Sequence, residues 1–302
     1  MTARQLTQPD LQRKRVPHGT SRGRYIQVLS LLLLRRPKAT SSAAMLLLVI
    51  VLALSATGIV PFDPVRPDYS AVLQAPSLRH LFGTDELGRD VLVRVLVGGR
   101  ISLLAGLVPV AIAMTIGSLA GLVAGYAGGR VDSIIMRLAD VLLAFPALVL
   151  LVAVSAVLGP GLQNGLLAIS VIMIPRFARV VRGQTLTLAH QEFVDSARIL
   201  GATPSRIVLR HVLPNTTSPI IVVATLAAAE AILAEGSLSF LGLGTQPPDP
   251  SWGAMISQGF RFLQLAPWIT FAPGGAIFLT VLAINFLGDA LRDILDPTLR
   301  LD

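Results

Sequence analysis

The chain is 302 residues long, 53% hydrophobic and 14% charged, with a mean hydropathy of +0.71. Soluble proteins carry roughly 25% charged residues, so the pair of soluble domains that ~150 residues per domain would suggest is excluded. The net charge of +8 does not call for a polyanion, because a nucleic-acid module needs its Lys and Arg on a water-facing surface that this chain largely lacks.

About 20 apolar residues rising 1.5 Å each cross a ~30 Å hydrocarbon core, and several stretches approach or reach that length. The first 42 residues form a basic tail, in which four leucines at 31–34 are flanked by Arg24, Arg35, Arg36 and Lys38. They suit either a segment lying on the membrane surface or an unstructured basic tail. A first span is predicted over 43–60. It starts too far along the chain for a cleaved signal peptide, which usually lies within the first ~15–30 residues, so it is read as a retained anchor. A second span covers 101–126, where Gly117, Gly121 and Gly125 recur every four residues and present a small stripe for close helix packing. The third covers 141–158, the fifth 219–241 and the sixth 269–287. Between the third and fifth lies a shorter run, 162–178, that contains Asn164 and Arg176. It is read as a fourth span whose arginines snorkel to the interface.

The distribution of Lys and Arg supports an even number of spans. Cytoplasmic loops collect positive charge, and with the N-terminus inside, the inner segments hold 19 of the 25 Lys and Arg and the outer segments hold five. Arg100 stands at a boundary. Without the fourth span, the Arg-rich stretch 176–215 would lie outside, against the rule. The expectation is an all-α membrane protein with six transmembrane helices and both termini cytoplasmic.

Residues 184–215 are too long for a simple connector. Their pattern predicts a helix over 186–200, a break at Gly201 and a second short helix with Thr203 as N-cap and Pro204 at its first position. Ile207 and Val208 give that helix an apolar side, Arg206 and Arg210 a charged one, and Pro214 a stop. A short protruding amphipathic helix suits docking into a groove of a cytoplasmic partner. The chain has no cysteine, and only Lys14 and Lys38 as lysines, neither within a GxxxxGK[ST] loop. Its four histidines are scattered, so no metal site is expected. ATP chemistry by a Walker A loop has to come from another chain.

At this loop the sequence resembles the permease subunits of bacterial ABC importers. Their EAA loop, E-A-A-x3-G-x9-I-x-L-P, is matched by Asp195, Ser196, Ala197, Gly201, His211, Leu213 and Pro214, with Asp for Glu, Ser for the first Ala and His for Ile. Four further segments, at 81–90 running on to 99–103, 238–244, 250–253 and 285–297, look like dipeptide and oligopeptide permeases of the C type. The resemblance implies a type I ABC importer permease fold. It divides the chain into the tail 1–42, a first helix with an extracytoplasmic segment at 43–97, the permease domain 98–289 and a cytoplasmic end 290–302. It implies a multi-pass protein of the bacterial inner membrane that imports dipeptides or oligopeptides, with nickel and glutathione as alternatives in the same family. The implied partners are a second, homologous permease, two cytoplasmic ATPase subunits that bind ATP and magnesium, an extracytoplasmic solute-binding protein and membrane lipid, with no nucleic acid and no catalytic residue in this chain. Coupling to the ATPase would fall to Asp195, Ala197, Gly201, Ala202, Thr203, Pro204, Arg206, Ile207, Arg210, Leu213 and Pro214.

Glu230 and Glu235 stand inside the fifth span, where a carboxylate has to face protein or water. At 100° per residue they diverge by about 140°, so both cannot face one pore axis, and Glu235 is preferred as the pathway or subunit-interface residue. The alternative is a structural hydrogen-bonding role. Asp85, Glu86, Arg89 and Asp90 are read as a salt-bridged turn at the outer face that could meet the binding protein. Arg176, Arg179 and Arg182 are read as interfacial anchors. A rival class, an ATP-independent secondary transporter or channel, would need intramembrane ion-coupling acids, of which only these two glutamates are available, and would leave the Gly201 loop unexplained.

Overall fold

A computed structural model of the chain describes residues 37–59 and 63–295. The described α-helices are α1 (Pro37–Ile59), α2 (Val91–Ala127), α3 (Gly129–Leu143), α4 (Ala147–Leu158), α5 (Leu162–Ala189), α6 (Glu192–Ile199), α7 (Pro204–Ile207), α8 (Leu213–Phe240), α9 (Trp252–Phe260) and α10 (Trp268–Leu295), with one 3-10 turn at Tyr69–Ala71. A single π turn, Val208–Val212, joins α7 to α8. Among the described residues the β pairing is one isolated bridge, Thr84 to Asp90. The predicted leucine run at 31–34 lies outside the described residues.

Five helices are long and apolar enough to cross a membrane, and a sixth crossing exists if α3 and α4, bent by 95°, count together. This corrects the predicted third span. The apolar run 141–158 is not one helix. Phe145 precedes Pro146, whose ring disfavours helical backbone at the residue before it, and Pro146 caps a new helix of only 12 residues. The predicted fourth span is longer than its apolar run, because α5 continues to Ala189 and carries Arg176, Arg179 and Arg182 within the helix and not at its end. The division at residue 98 falls within α2 and that at 290 within α10.

Three of the five buried apolar clusters among the described residues follow one another along the bundle. Val91, Val95, Trp252, Met255 and Ile269 fill one end, Val110, Ala113, Ile169, Phe177 and Ala231 the middle, and Leu122, Val181, Val194, Ile207, Val212 and Ile220 the end beneath the α5–α8 loop. The axis of the bundle is the contact of α2 with α5. A Cβ on Gly117 would come within 2.6 Å of the Ile174 carbonyl oxygen, and one on Gly125 within 2.7 Å of Thr185 Cβ. At Gly121 it would meet the Ala178 carbonyl oxygen more closely still. The stripe therefore brings two backbones together, which in a membrane supplies the van der Waals contact that holds helices to one another.

Two further motif segments also act in packing. The segment at 250–253 places Ser251 as N-cap of α9 and buries Trp252, whose Nε1 donates to the Val95 carbonyl oxygen at 2.8 Å. Gly253 lets α9 meet α8, since a Cβ there would lie 2.6 Å from the Gly236 carbonyl oxygen. Asp90 caps α2 by accepting from the Val93 amide at 3.0 Å, a contact that contributes about 1 kcal/mol.

Candidate functional site

The loop between α5 and α8 folds as a compact projection. α5 ends at Ala189, four residues into the helix predicted over 186–200, and α6 starts afresh at Glu192. α6 then stops at Gly201, which has φ +76° and open space around its α-carbon. Ala202 N donates to the Ala197 carbonyl at 3.0 Å and Gly201 N to the Arg198 carbonyl at 2.9 Å. This is the Schellman arrangement, which satisfies the orphan carbonyls of a helix end and needs a left-handed residue at the position of Gly201. Thr203 occupies the N-cap of α7 with Pro204 at the start of that helix, but its side chain makes no cap hydrogen bond. Its hydroxyl lies 3.3 Å from that of Ser205 instead.

Pro214 does not stop the second helix. It sits directly after the π turn, in the first turn of α8, and the wider i→i+5 turn carries the helix past the proline without a break. The projection is thus continuous with a helix that crosses the whole bundle.

The predicted coupling residues divide into two sets. Ala197 and Ile207 are buried, and with Val194 and Val212 they key the projection into the bundle against Leu122 and Val181. Ala202 and Leu213 are half-buried in the same cluster. Asp195, Gly201, Thr203, Pro204, Arg206, Arg210 and Pro214 face outward. Asp195 accepts from Arg198 Nη1 at 2.9 Å, and the Arg198 guanidinium lies 5.8 Å from the centre of the Tyr126 ring. The Tyr126 hydroxyl first, and Asp195 after it, hold Arg198 above its ordinary pKa.

The sequence pattern missed the tip itself. Ile199 and Leu200 are each 86% exposed, and Leu209 is 59% exposed. Two adjacent large apolar side chains directly before the Gly201 turn were the available signal. Helical spacing from Val194 and Ala197 already directs them away from the core.

At the opposite end, the turn of Asp85, Glu86, Arg89 and Asp90 is an internal knot more than an exposed patch. Asp85, Arg89, Asp90, Arg94 and His80 are all buried. Arg89 Nε donates to Asp85 Oδ2 at 2.7 Å, Arg94 Nε lies 3.4 Å from the same oxygen, and His80 Nδ1 lies 2.8 Å from Asp90 Oδ2. Arg94 also donates to the Pro64 carbonyl at 2.6 Å. These groups fix the start of α2 to the segment before it.

Glu235 is 2% exposed and accepts from Ser239 Oγ at 2.6 Å and Thr245 Oγ1 at 3.2 Å. It closes the end of α8 onto the following turn, an arrangement that fits the structural hydrogen-bonding alternative. Glu230 points the other way, with 55% of its side chain exposed, and accepts from Arg176 Nη1 at 2.5 Å. Arg179 pairs with Asp140 at 2.6 Å and Arg182 with Asp132 through two contacts of 2.5 and 2.6 Å. The three arginines are therefore bonded to acids on α8 and α3, beyond the interfacial anchoring expected of them.

Comparison with known proteins supplies the frame for this geometry. Residues 117–301 match the family model of the binding-protein-dependent transport system inner membrane component. The chain is 49% identical over 251 residues to the glutathione transport system permease protein GsiD of Escherichia coli O6:K15:H31 (strain 536 / UPEC), covering 83% of each chain. It is equally similar to the GsiD of Shigella boydii serotype 4 (strain Sb227). Among solved structures, an inward facing conformation of the MetNI methionine ABC transporter matches with a TM-score of 0.55 at 19% identity, over 67% of this chain and 96% of that one. That likeness concerns the fold, and it bears out the expected type I ABC importer permease architecture. The helical bundle, the match over more than half of the chain and the close relatives agree: the chain belongs to the family of binding-protein-dependent transport system inner membrane components.

Proposed function

We propose that this permease imports peptides, glutathione among them, as one of two homologous membrane subunits driven by two cytoplasmic ATPase subunits and fed by an extracytoplasmic binding protein. The observation that carries the coupling is the exposed Ile199–Leu200 tip, held out by the Gly201 turn and continuous with α8. Two apolar side chains of this size, presented on a short helix, fit an apolar groove of a partner. ATP and magnesium belong to that partner, and this chain converts its movement into a movement of α8 without doing chemistry itself. Both termini and the projection lie on the cytoplasmic side in this reading. The relatives named for glutathione transport support the peptide class, since glutathione is a tripeptide.

The test is reconstitution of the complex in proteoliposomes with its binding protein and measurement of ATP-driven uptake of radiolabelled dialanine and glutathione. The double substitution Ile199→Asp with Leu200→Asp is expected to abolish uptake and copurification of the ATPase subunits, while the chain still inserts in the membrane. Uptake that persists without the ATPase subunits, or that survives the double substitution unchanged, overturns the proposal.

A further inference from the structure

The Arg176–Glu230 pair is placed where a structural ion pair has little reason to be. Counting from the end where α5 starts and α8 finishes, Arg176 lies ~21 Å along α5 and Glu230 ~15 Å along α8 at 1.5 Å per residue. Those two helix ends are tied together by the Gly161 amide, which donates to the Leu243 carbonyl at 3.1 Å. Both charges are therefore near the middle of a ~30 Å hydrocarbon layer. Yet the two side chains are 38% and 55% exposed on the surface of this chain. Charges at that depth face a bundle interior or a water-filled cavity, because lipid gives them no solvation. At similar depth α1 and α10 expose Leu48, Val51, Phe278 and Leu279, the surface of lipid-facing helices.

Next to the pair, one helical turn along α8, Leu233 borders a concavity of about 490 Å³ bounded also by Leu148, Gly236, Phe240, Ile256 and Ile277. An opposite-charge pair beside an apolar hollow matches a molecule with a carboxylate, an ammonium and an uncharged body. Resting on the peptide-importer reading, we infer that Arg176 and Glu230 form a zwitterion station on the wall of the translocation path. The carboxylate of the passing peptide takes the place of Glu230 on Arg176, its ammonium takes the place of Arg176 on Glu230, and the hollow receives an apolar side chain. In the empty state the two residues neutralise each other, so neither charge is left bare in the membrane. The exchange swaps one set of ion pairs for another, which keeps retention weak enough for release.

The absence of cysteine from this chain makes the station directly testable. Leu233→Cys in the assembled importer is expected to react with a sulfonated, membrane-impermeant methanethiosulfonate, while Leu48→Cys on α1 does not. Dialanine delivered by the binding protein in the presence of ATP should slow labelling of Leu233→Cys at least threefold, and adding Arg176→Gln should remove that protection. Arg176→Gln alone should lower dialanine uptake at least tenfold, and the exchange Arg176→Glu with Glu230→Arg should recover most of it. A silent Leu233→Cys in a complex that transports dialanine, or protection that persists with Arg176→Gln, overturns the station alone. Failure of the unaltered complex to take up any peptide overturns the importer reading and the station together.

Discussion

At the scale of single residues, Gly201 is the position on which the projection depends most. Its φ of +76° costs a residue with a Cβ about 1–2 kcal/mol, and no neighbour obstructs a methyl group there. The effect of Gly201→Ala is thus conformational and local. A change of one to two kcal/mol alters a two-state equilibrium by a factor of about 5–30. Hydrogen exchange of the α6 amides, measured by mass spectrometry, should therefore accelerate by about that factor, with α2 and α5 unchanged. Gly201 was legible in the sequence because a glycine after an apolar periodic run marks a helix end. Glu235 was harder to place. Its depth in the span was plain, but the hydroxyls that satisfy it, Ser239 and Thr245, stand four and ten residues further on, and the turn that folds Thr245 back has no local signature.

At the scale of elements, helix existence followed from apolar length, while helix ends did not. α5 outruns its apolar run because Arg176, Arg179 and Arg182 find acids on α8 and α3. That pairing depends on tertiary structure and no hydropathy pattern contains it. α4 falls short of its apolar run because the bend before Pro146 acts against it. The α2–α5 contact was foreshadowed by the glycine spacing, although the identity of the partner helix was not. The contact predicts a sharp contrast between two substitutions of the same kind. Gly121→Leu drives a side chain into the α5 backbone at Ala178 and Arg182, and overpacking of this sort typically costs ~1–3 kcal/mol. Gly183→Leu, on the exposed side of α5 with nothing within 4 Å of a new Cβ, should be tolerated. Thermal aggregation of the detergent-solubilised chain reads this out: a lowered midpoint for Gly121→Leu only. Equal midpoints would mean that the two helices do not meet at the stripe.

For the whole molecule sidedness turns on charge, since the bundle itself is indifferent to which end meets the cytoplasm. The charge distribution is not. With Arg176 left out as a residue within the membrane, the inner segments by the predicted orientation hold 18 of the 25 basic residues, and translocating them would work against the membrane potential at ~2.3 kcal/mol per charge per 100 mV. The charge bias thus predicts the α5–α8 projection on the cytoplasmic side together with the basic tail, and the knot around Asp85 on the other side. Because the chain has no cysteine, one thiol at each end decides the matter. Ser205, exposed at the start of α7, and Tyr69, 76% exposed in the turn before α2, are suitable positions. Ser205→Cys should react with an impermeant maleimide in inside-out vesicles and stay silent in intact spheroplasts, and Tyr69→Cys should show the reverse. Both labelled from one side would require an even number of crossings between them. That result would mean that the bent pair α3–α4 dips into the membrane and returns, leaving five spans and placing the projection opposite to the basic tail.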